Sequence, residues 1–349
     1  MGNSGSSSFA GKALKVGALV AAAGAAAWAL GVFSDPEDDR TPKHYPPPPD
    51  DHQRPPHDAH GPTSERKWEE YVVFQAGPAE PTPPDPHRPG EIKLMCYNIW
   101  CVEVKLHERM KAIGKLIQKH SPDIILLQEV TPSIYKIFQD CNWWGSYKCS
   151  VPPEKATRKF FCMLLSKLPV KKSICIRFKS SSEGKGLSVA WINAGEKKLV
   201  VATCHLKRPT DSGTNSTERV AQAKEALSFL HSARNVVLGG DMNWDEDSDG
   251  HFPLPGEWYD AWSILRPRED GWTYDTKSNS MLMRNRLAVQ KRLDRFLCKL
   301  KDFEIVSIDM IGRDAIHHIR SSSSRNRNRE NTPVLPSDHY GLILTLCLK

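Results

Sequence analysis

The sequence predicts an α/β sandwich, in which two mostly antiparallel sheets pack face to face and helices cover the outer faces. From Glu91 onward, short apolar runs alternate with segments of helical period. Four apolar runs between residues 160 and 206 are separated by turn and charge clusters, which is the spacing of antiparallel strands. About 260 residues follow this point, enough for a single large α/β domain.

The N-terminal part of the chain has a different composition, and we predict two segments there. Residues 1–33 contain no Asp or Glu and end in an apolar run at 16–33 that barely reaches the length of a membrane span. This segment is interpreted as a membrane anchor or an organelle-targeting segment, and Gly2 fits a myristoylation pattern. The sequence does not choose among them, so the compartment stays open. Residues 34–90 hold 15 of the 26 prolines and are predicted to be a disordered linker.

Residues 91–349 form the predicted folded domain and carry a strong positive charge. They contain 40 Lys and Arg against 29 Asp and Glu, which is compatible with a nucleic acid or an anionic lipid surface as partner. All nine cysteines lie in this domain, and their odd number and irregular spacing predict reduced thiols. We expect a monomer.

The elements follow one another in a regular order. The predicted strands are IKLMCYNIW, DIILLQEV, FFCMLLS, SICIRF, LSVAWIN, KLVVATCHL, the run into GGDMN, RLDRFLCK and the run after SDHY. A helix is predicted over residues 105–120, with Leu106, Met110, Ile113, Leu116 and Ile117 on one face. A second helix is predicted after a capping box of Asn215 and Glu218.

The stretch VVLGGDMNWDEDSDG, residues 236–250, combines a buried strand with a cluster of acids. A calcium loop of the EF-hand type is excluded, because Glu246 replaces the turn glycine and Phe252 replaces the bidentate Glu. The acids therefore follow a strand end, where α/β sheets place ligands. We assign Asp241 and Asn243 to the chemistry and predict that residues 245–249 form a solvated loop.

Other polar residues recur at the ends of predicted strands. They are Asn98, Gln128, Glu129, His205, Asp241, Asn243, Asp294, Asp338 and His339. One such residue is usually a turn residue, but carboxylates, amides and imidazoles together at strand ends predict a divalent-metal phosphodiesterase.

The ordered motifs CYNIW, LQEV, TCHL, GGDMN, RLDRF and SDHYG resemble the endonuclease/exonuclease/phosphatase superfamily over essentially all of residues 91–349. This resemblance implies a deoxyribonuclease-I-like four-layer α/β sandwich. Within the superfamily, HLKRPTDSGTNSTERVAQ and GWTYDTKSN are similar to the 5′-tyrosyl-DNA phosphodiesterases, which release topoisomerase-derived tyrosine from DNA ends. The sequence departs from that pattern at Lys207, Arg208, Tyr97 and Tyr340, positions that border the substrate.

The resemblance implies roles for the strand-end residues. Glu129 is assigned to Mg²⁺, with Mn²⁺ as an alternative, and Asp338 to a supporting or second metal position. Asn98 and His205 are assigned to the substrate, and Asn98 would orient the metal shell or the phosphate.

The remaining assignments concern the reaction and the substrate groove. Asp241 and Asn243 would hold the attacking water and a phosphate oxygen from one side of an extended segment. A protonated His339 would stabilise the charge that develops on phosphorus, and Asp294 would favour that protonation. Trp272 is the predicted aromatic wall of a groove for DNA, and Lys207 and Arg208 are candidate phosphate contacts.

The sequence thus predicts a Mg²⁺-dependent phosphodiesterase that acts on 5′-blocked DNA ends. Two alternatives stay open. The first is another superfamily activity, such as removal of a phospholipid head group by an enzyme tethered to a membrane through residues 16–33. The second is a membrane-tethered binding protein with an inactive site, which the full set of catalytic candidates disfavours.

Overall fold

The structure is a computed structural model that describes residues 69–71, 74–75, 90–210, 213–282, 288–321 and 332–349. The predicted N-terminal segment 1–33, most of the linker 34–90, and most of the Arg-rich loop 320–330 lie outside these residues. Among the described residues, no helix combines the length and apolarity needed to cross a bilayer. Membrane association through residues 16–33 therefore stays a prediction, as does the domain boundary at Glu91.

Two seven-stranded sheets form the framework. In order across the first sheet, the strands are β1 (Glu69–Tyr71), β7 (Val170–Arg177), β8 (Gly186–Ala194), β9 (Lys197–His205), β10 (Val236–Asp241), β14 (Asp294–Lys299) and β11 (Tyr259–Asp260). In the second sheet they are β15 (Phe303–Ile311), β18 (Gly341–Leu348), β3 (Glu91–Asn98), β4 (Ile124–Val130), β6 (Phe161–Ser166), β5 (Lys148–Cys149) and β2 (Phe74–Gln75). Strands β1 and β2 lie within the predicted linker, so the chain joins the edges of both sheets there.

Each sheet contains one parallel pair among antiparallel neighbours. Strand β3 runs parallel to β4 in one sheet, and β9 runs parallel to β10 in the other. The remaining neighbours in the two sheets are antiparallel. The predicted sandwich of mostly antiparallel sheets is confirmed.

Helices cover both outer faces, which gives four layers. Helices α1 (Leu106–His120) and α2 (Pro132–Gln139) pack on the second sheet, and α3 (Ser216–Leu230) packs on the first. The smaller described elements are helices α4 (Glu246–Asp249) and α5 (Ala261–Leu265) and two 3-10 helices (Trp144–Ser146 and Pro153–Lys155). Two two-stranded pairs, β12 (Tyr274–Asp275) with β13 (Gln290–Lys291) and β16 (Arg320–Ser321) with β17 (Thr332–Pro333), complete the described elements.

The central core lies between the sheets, where side chains alternate along each strand. Leu94, Leu126, Val201, Val237 and Phe296 belong to this apolar layer. A Cβ atom at Gly239 would lie 2.7 Å from the Leu126 side chain, so glycine permits close approach of the sheets there. The residues that follow these core positions on the same strand faces therefore meet between the sheets.

One helix prediction needs correction, and one buried arginine on a helix was not predicted. The start of α3 at Ser216 is as predicted, but the capping box is wrong because Asn215 has φ 54° and makes no side-chain cap bond. Glu218 instead accepts hydrogen bonds from the Ser182 amide and hydroxyl. On α1, Arg109 is fully buried on the core side and donates to backbone carbonyls, including those of Ile99 and Trp100.

Candidate active site

The site forms where the parallel pairs of the two sheets end. His205, Asp241 and Asp294 are register partners across β9, β10 and β14, and Asn98 is the partner of Gln128 across β3 and β4. The Asn98 amide donates to Asp241 Oδ2 at 2.9 Å, which joins the two sheets through one hydrogen bond. Both residues are 1% exposed, so this contact lies in a region of low dielectric.

Glu129 reaches the site because β4 is irregular near its end. The pairing of β4 with β6 shifts between Leu127 and Val130, and Glu129 has a φ of 62°. Such an irregularity turns a side chain away from the face that strict alternation would give it. Its carboxylate accepts hydrogen bonds from Asn98 Nδ2 at 3.1 Å and from the Cys101 amide at 2.9 Å.

The environment of Glu129 keeps its carboxylate ionised. Burial alone would raise the pKa of Glu129, but the nearby His205 and the hydrogen bonds from Cys101 and Asn98 lower it to about 2. The carboxylate also lines a cavity of about 480 Å³ together with His205. An ionised carboxylate at a cavity wall fits an oxygen-seeking divalent cation.

His339 and Asp294 form a buried pair. His339 Nδ1 lies 2.8 Å from Asp294 Oδ2, and its Nε2 lies 3.9 Å from Asp241 Oδ2. Burial acts to lower the pKa of His339, but the carboxylates of Asp294 and Asp241 outweigh it and raise the pKa well above the usual value. His339 is therefore a cation whose Nε2–H points away from Asp294.

Thr273 fixes the strand that carries Asp294. Its hydroxyl accepts hydrogen bonds from the amides of Leu293 and Asp294 at 3.1 and 3.0 Å, and its carbonyl accepts one from the Tyr340 amide. Thr273 thus connects the segment before β14 to the segment that carries His339. Thr273 was not among the residues predicted from the sequence.

Among the described residues, one group of three ligand-type side chains has its atoms within 4.8 Å: Asp241, Asp294 and His339. We do not assign a metal there, because a protonated imidazole bonded to Asp294 has no lone pair to offer. Glu129 and Asp338 are better candidates. Burial and the Glu129 carboxylate raise the pKa of Asp338 to about 7, against the lowering effect of His339. Two carboxylates close enough to repel one another suit a cation between them.

His205 and Asn243 also contact the carboxylate of Asp241. His205 Nε2 lies 3.4 Å from Asp241 Oδ2, and burial, together with Lys185, lowers the pKa of His205 to about 4. The neutral imidazole can therefore accept or donate a hydrogen bond. Asn243 lies beyond the end of β10 with φ 47°, so the predicted extended geometry at this residue is wrong. Its backbone amide donates to Asp241 Oδ1, and its side-chain amide donates to Leu206 O.

Tyr274 is an aromatic side chain that contacts His339. Its ring lies 5.3 Å from the His339 ring in an edge-on arrangement. Trp272, predicted as the substrate wall, is half-buried and lines a second cavity with Trp262, Arg313 and Tyr340. Trp272 and Tyr274 both lie in the WTYDT motif, and the sequence did not show which one lies nearer His339.

The cavity beside Glu129 and His205 is strongly basic. Its cations are Lys155, Arg158, Lys159, Arg177 and Lys185, against the acids Glu129 and Glu183. Lys185 is nearly buried and donates to Leu206 O at 3.1 Å. Lys207, a predicted phosphate contact, instead binds Glu183 at 2.5 Å and Ser182 at 3.2 Å. Sequence reasoning missed Lys185, because an isolated lysine in a Ser- and Gly-rich turn carries no signal.

The acids of residues 245–249 form ion pairs that hold the loop in place, although they differ in exposure. Asp249 makes a bidentate ion pair with Arg219 at 2.7 and 2.8 Å, with both side chains fully buried. Asp245 pairs with Lys291 at 2.6 Å. The prediction of a solvated loop is thus wrong for Asp249, although Asp247 is exposed.

A four-layer sandwich with an ionised carboxylate, a bridging amide and an imidazolium at its strand ends defines a class of protein, the phosphoester hydrolases. Comparison with protein families matches residues 95–339 to the Endonuclease/Exonuclease/phosphatase family. The chain belongs to that family.

Similar proteins include tyrosyl-DNA phosphodiesterase 2 of Gallus gallus, 29% identical over 266 residues, which are 73% of this chain and 66% of that protein. The Homo sapiens protein of the same name is 26% identical over 72% of this chain and 67% of its own length. The match therefore spans about two thirds of these relatives.

Solved structures give the same fold. The crystal structure of D. rerio TDP2 complexed with a single-strand DNA product superposes with a TM-score of 0.61 and 20% identity, covering 73% of this chain and 98% of that one. The human Nocturnin catalytic domain with bound sulfate superposes with a TM-score of 0.53 and 17% identity, covering 75% of this chain and 95% of that one. At this level of identity the likeness shows the fold.

Proposed function

We propose that this chain is a divalent-metal-dependent phosphodiesterase that hydrolyses 5′-phosphotyrosyl DNA ends. The observation that carries the proposal is the Asn98 amide, which bonds to both Glu129 and Asp241 beside the imidazolium of His339. A phosphate bound there would meet an ionised carboxylate, an amide and a cation in a buried site. The names of the relatives support a tyrosyl-DNA substrate, and the basic cavity supports a polyanion.

Glu129 and Asp338 would hold Mg²⁺, or Mn²⁺ in its place, since both offer oxygen ligands. When bound, this cation would supply positive charge to a phosphate oxygen. Asn98 fixes the Glu129 carboxylate, and the Cys101 amide fixes its second oxygen. The chain thus positions the metal-binding carboxylate before substrate arrives, which lowers the cost of reorganisation.

Asp241 and His339 would act on the reacting groups. Asp241 Oδ2 accepts from Asn98 and its Oδ1 accepts from the Asn243 amide, so the carboxylate is held in one orientation to receive the proton of the attacking water. The water oxygen bonds to phosphorus, and the bond from phosphorus to the tyrosine oxygen breaks, which leaves a 5′-phosphate and a tyrosine phenolate that takes up a proton from solvent. His339 Nε2–H would donate to a phosphate oxygen as negative charge grows.

Three substrates test this proposal on the purified protein in Mg²⁺. A 5′-phosphotyrosyl oligonucleotide should release tyrosine, and an abasic duplex and sphingomyelin vesicles should be poor substrates. Glu129→Gln, a change that keeps the shape of the side chain, should abolish tyrosine release from the oligonucleotide while the protein stays folded. Efficient head-group release from the vesicles with no tyrosine released would refute the proposal and favour the phospholipid alternative.

Two aromatic variants test which ring meets the substrate. Tyr274→Ala should raise KM for the phosphotyrosyl oligonucleotide about tenfold, because stacking on an aromatic contributes roughly 1–3 kcal/mol. Trp272→Ala is the matched comparison, because Trp272 is the aromatic residue that the sequence predicts at the substrate. An effect confined to Trp272→Ala would place the substrate along the second cavity.

A further inference from the structure

The side chain of Lys207 is buried, although the sequence predicts that it contacts a phosphate of the substrate. Lys207 follows His205 and Leu206 at a point where the sequence departs from the family pattern, yet its side chain is only 9% exposed and its ammonium group is paired with a carboxylate. It binds Glu183 Oε1 at 2.5 Å and Ser182 Oγ at 3.2 Å, both in the loop between β7 and β8, residues 178–185. The Lys207 backbone is fixed independently, because its amide donates to Gln222 and its carbonyl accepts from Arg219.

The β7–β8 loop carries Lys185 into the basic cavity. Lys185 is the last residue of this loop, and its side chain is 8% exposed and lines the cavity with Glu129 and His205. Its ammonium donates to Leu206 O, the carbonyl that also accepts from Asn243. An ammonium group has three donors. Within the described residues, the hydrogen bond to Leu206 leaves donors of Lys185 that can face a substrate phosphate.

Glu183 connects the two lysines. Its Oε1 binds Lys207, and its Oε2 lies 4.0 Å from Lys185 Nζ. Helix α3 also holds the loop, because Glu225 accepts from the amides of Lys179 and Ser180 and Glu218 accepts from the amide and hydroxyl of Ser182. The contact between Lys207 and Glu183, here called the clasp, therefore closes the loop at the end nearest the catalytic residues.

We propose that Lys207 is a positioning residue, which through Glu183 holds Lys185 at the cavity wall for contact with a phosphate of the substrate. The role of Lys185 toward substrate rests on the function proposed above. The clasp itself does not, because it concerns the order of the β7–β8 loop in the free protein. Lys207 acts through the loop and does not itself contact the substrate.

A double-mutant cycle on the full chain tests the proposal. Lys207→Met and Glu183→Gln should each raise KM for the 5′-phosphotyrosyl oligonucleotide about tenfold with little change in kcat, since Lys185 binds ground state and transition state alike. The KM of the double variant should lie within about twofold of the larger of the two single-variant KM values, because either change opens the same clasp. Lys207→Arg should keep KM near that of the unaltered protein, and Lys179→Met is the control for loss of a loop charge.

Hydrogen exchange of the β7–β8 loop, measured without substrate, separates positioning from direct contact. The amides of residues 178–185 should exchange faster in Lys207→Met and Glu183→Gln and stay protected in Lys207→Arg. Additive losses in KM, or a raised KM with unchanged exchange, would overturn the proposal, the second by making Lys207 a direct substrate contact. An unaltered protein that releases no tyrosine would overturn the proposed function, whereas the exchange data would still decide whether the clasp exists.

Discussion

Replacement of Asp294 by Asn tests the buried pair with His339 most directly. The two side chains are joined by a 2.8 Å contact, and Asp294 is fully buried. A hydrogen bond to a charged group contributes about 1.5–3 kcal/mol. Loss of that contribution from the transition state corresponds to a fall of roughly 10- to 150-fold in kcat. His339→Gln should cost at least as much, and the double variant little more, because the residues act as a unit.

The activity of the Asp294→Asn protein should also change its dependence on pH in a defined direction. Asp294 and Asp241 raise the pKa of His339 against the lowering effect of burial, so His339 stays protonated above its usual pKa. In Asp294→Asn, burial is less opposed, and activity should fall as pH rises through lower values than in the unaltered protein. The assay is tyrosine release from the phosphotyrosyl oligonucleotide between about pH 5.5 and 9, around the ordinary pKa of histidine. Asp309→Asn, at an exposed carboxylate, is the control.

The result that would refute this reasoning is an Asp294→Asn protein with a kcat close to that of the unaltered protein and an unchanged alkaline limb. Additive losses in the double variant would mean that Asp294 and His339 serve separate roles.

Three further predictions concern the metal, the acid loop and a surface pair. Glu129→Gln should remove the response of cleavage rate to added Mg²⁺ and Mn²⁺, and a normal Mg²⁺ titration would exclude Glu129 as the metal ligand. Asp249→Asn should lower the free energy of unfolding by about 3–5 kcal/mol in urea denaturation, because it leaves the buried guanidinium of Arg219 uncompensated; a loss below about 1 kcal/mol, the level of an exposed pair, would contradict this. Hydrogen bonds from Arg234 and Asn235 hold the pKa of Asp302 well below its usual range. The Asp302 carboxylate therefore adds to the free energy of unfolding above the ordinary pKa of about 3.9, and this stabilisation is lost as pH falls toward the pKa in the folded protein. Asp302→Asn should therefore lower the melting temperature at pH 7 and by a shrinking margin below pH 4, and a difference that stays constant with pH would contradict that account.

Much of the fold could be predicted because the buried strands carry a simple pattern. Strands β3, β4, β9 and β18 are continuous apolar runs, and both longer predicted helices were found. Strand β15 was not predicted. Its pairing with β18 is interrupted between Ile305 and Ser307, and it lies at a sheet edge, so its apolar residues do not alternate regularly.

The candidate site was predicted in its residue types and less well in its geometry. Asn98, Asp241, Asp294 and His339 converge as the motifs implied. Tyr274, Thr273 and Lys185 were missed, since each belongs to the site through contacts with residues far away in the chain. Long-range contacts of this kind leave no periodic signal in the sequence.

The sequence by itself determined which chemical groups the candidate site contains: acids, amides and imidazoles at the ends of apolar strands, within a domain of excess positive charge. Local periodicity and strand-end position suffice for that, because each is a property of neighbouring residues. Only the tertiary structure decided which of these groups are charged and which partner they meet. His205 and His339 have the same side chain, yet burial near Lys185 lowers the pKa of one and two carboxylates raise the pKa of the other. Electrostatic environment depends on distances between strands of two different sheets, and those distances exist only once the sandwich has formed.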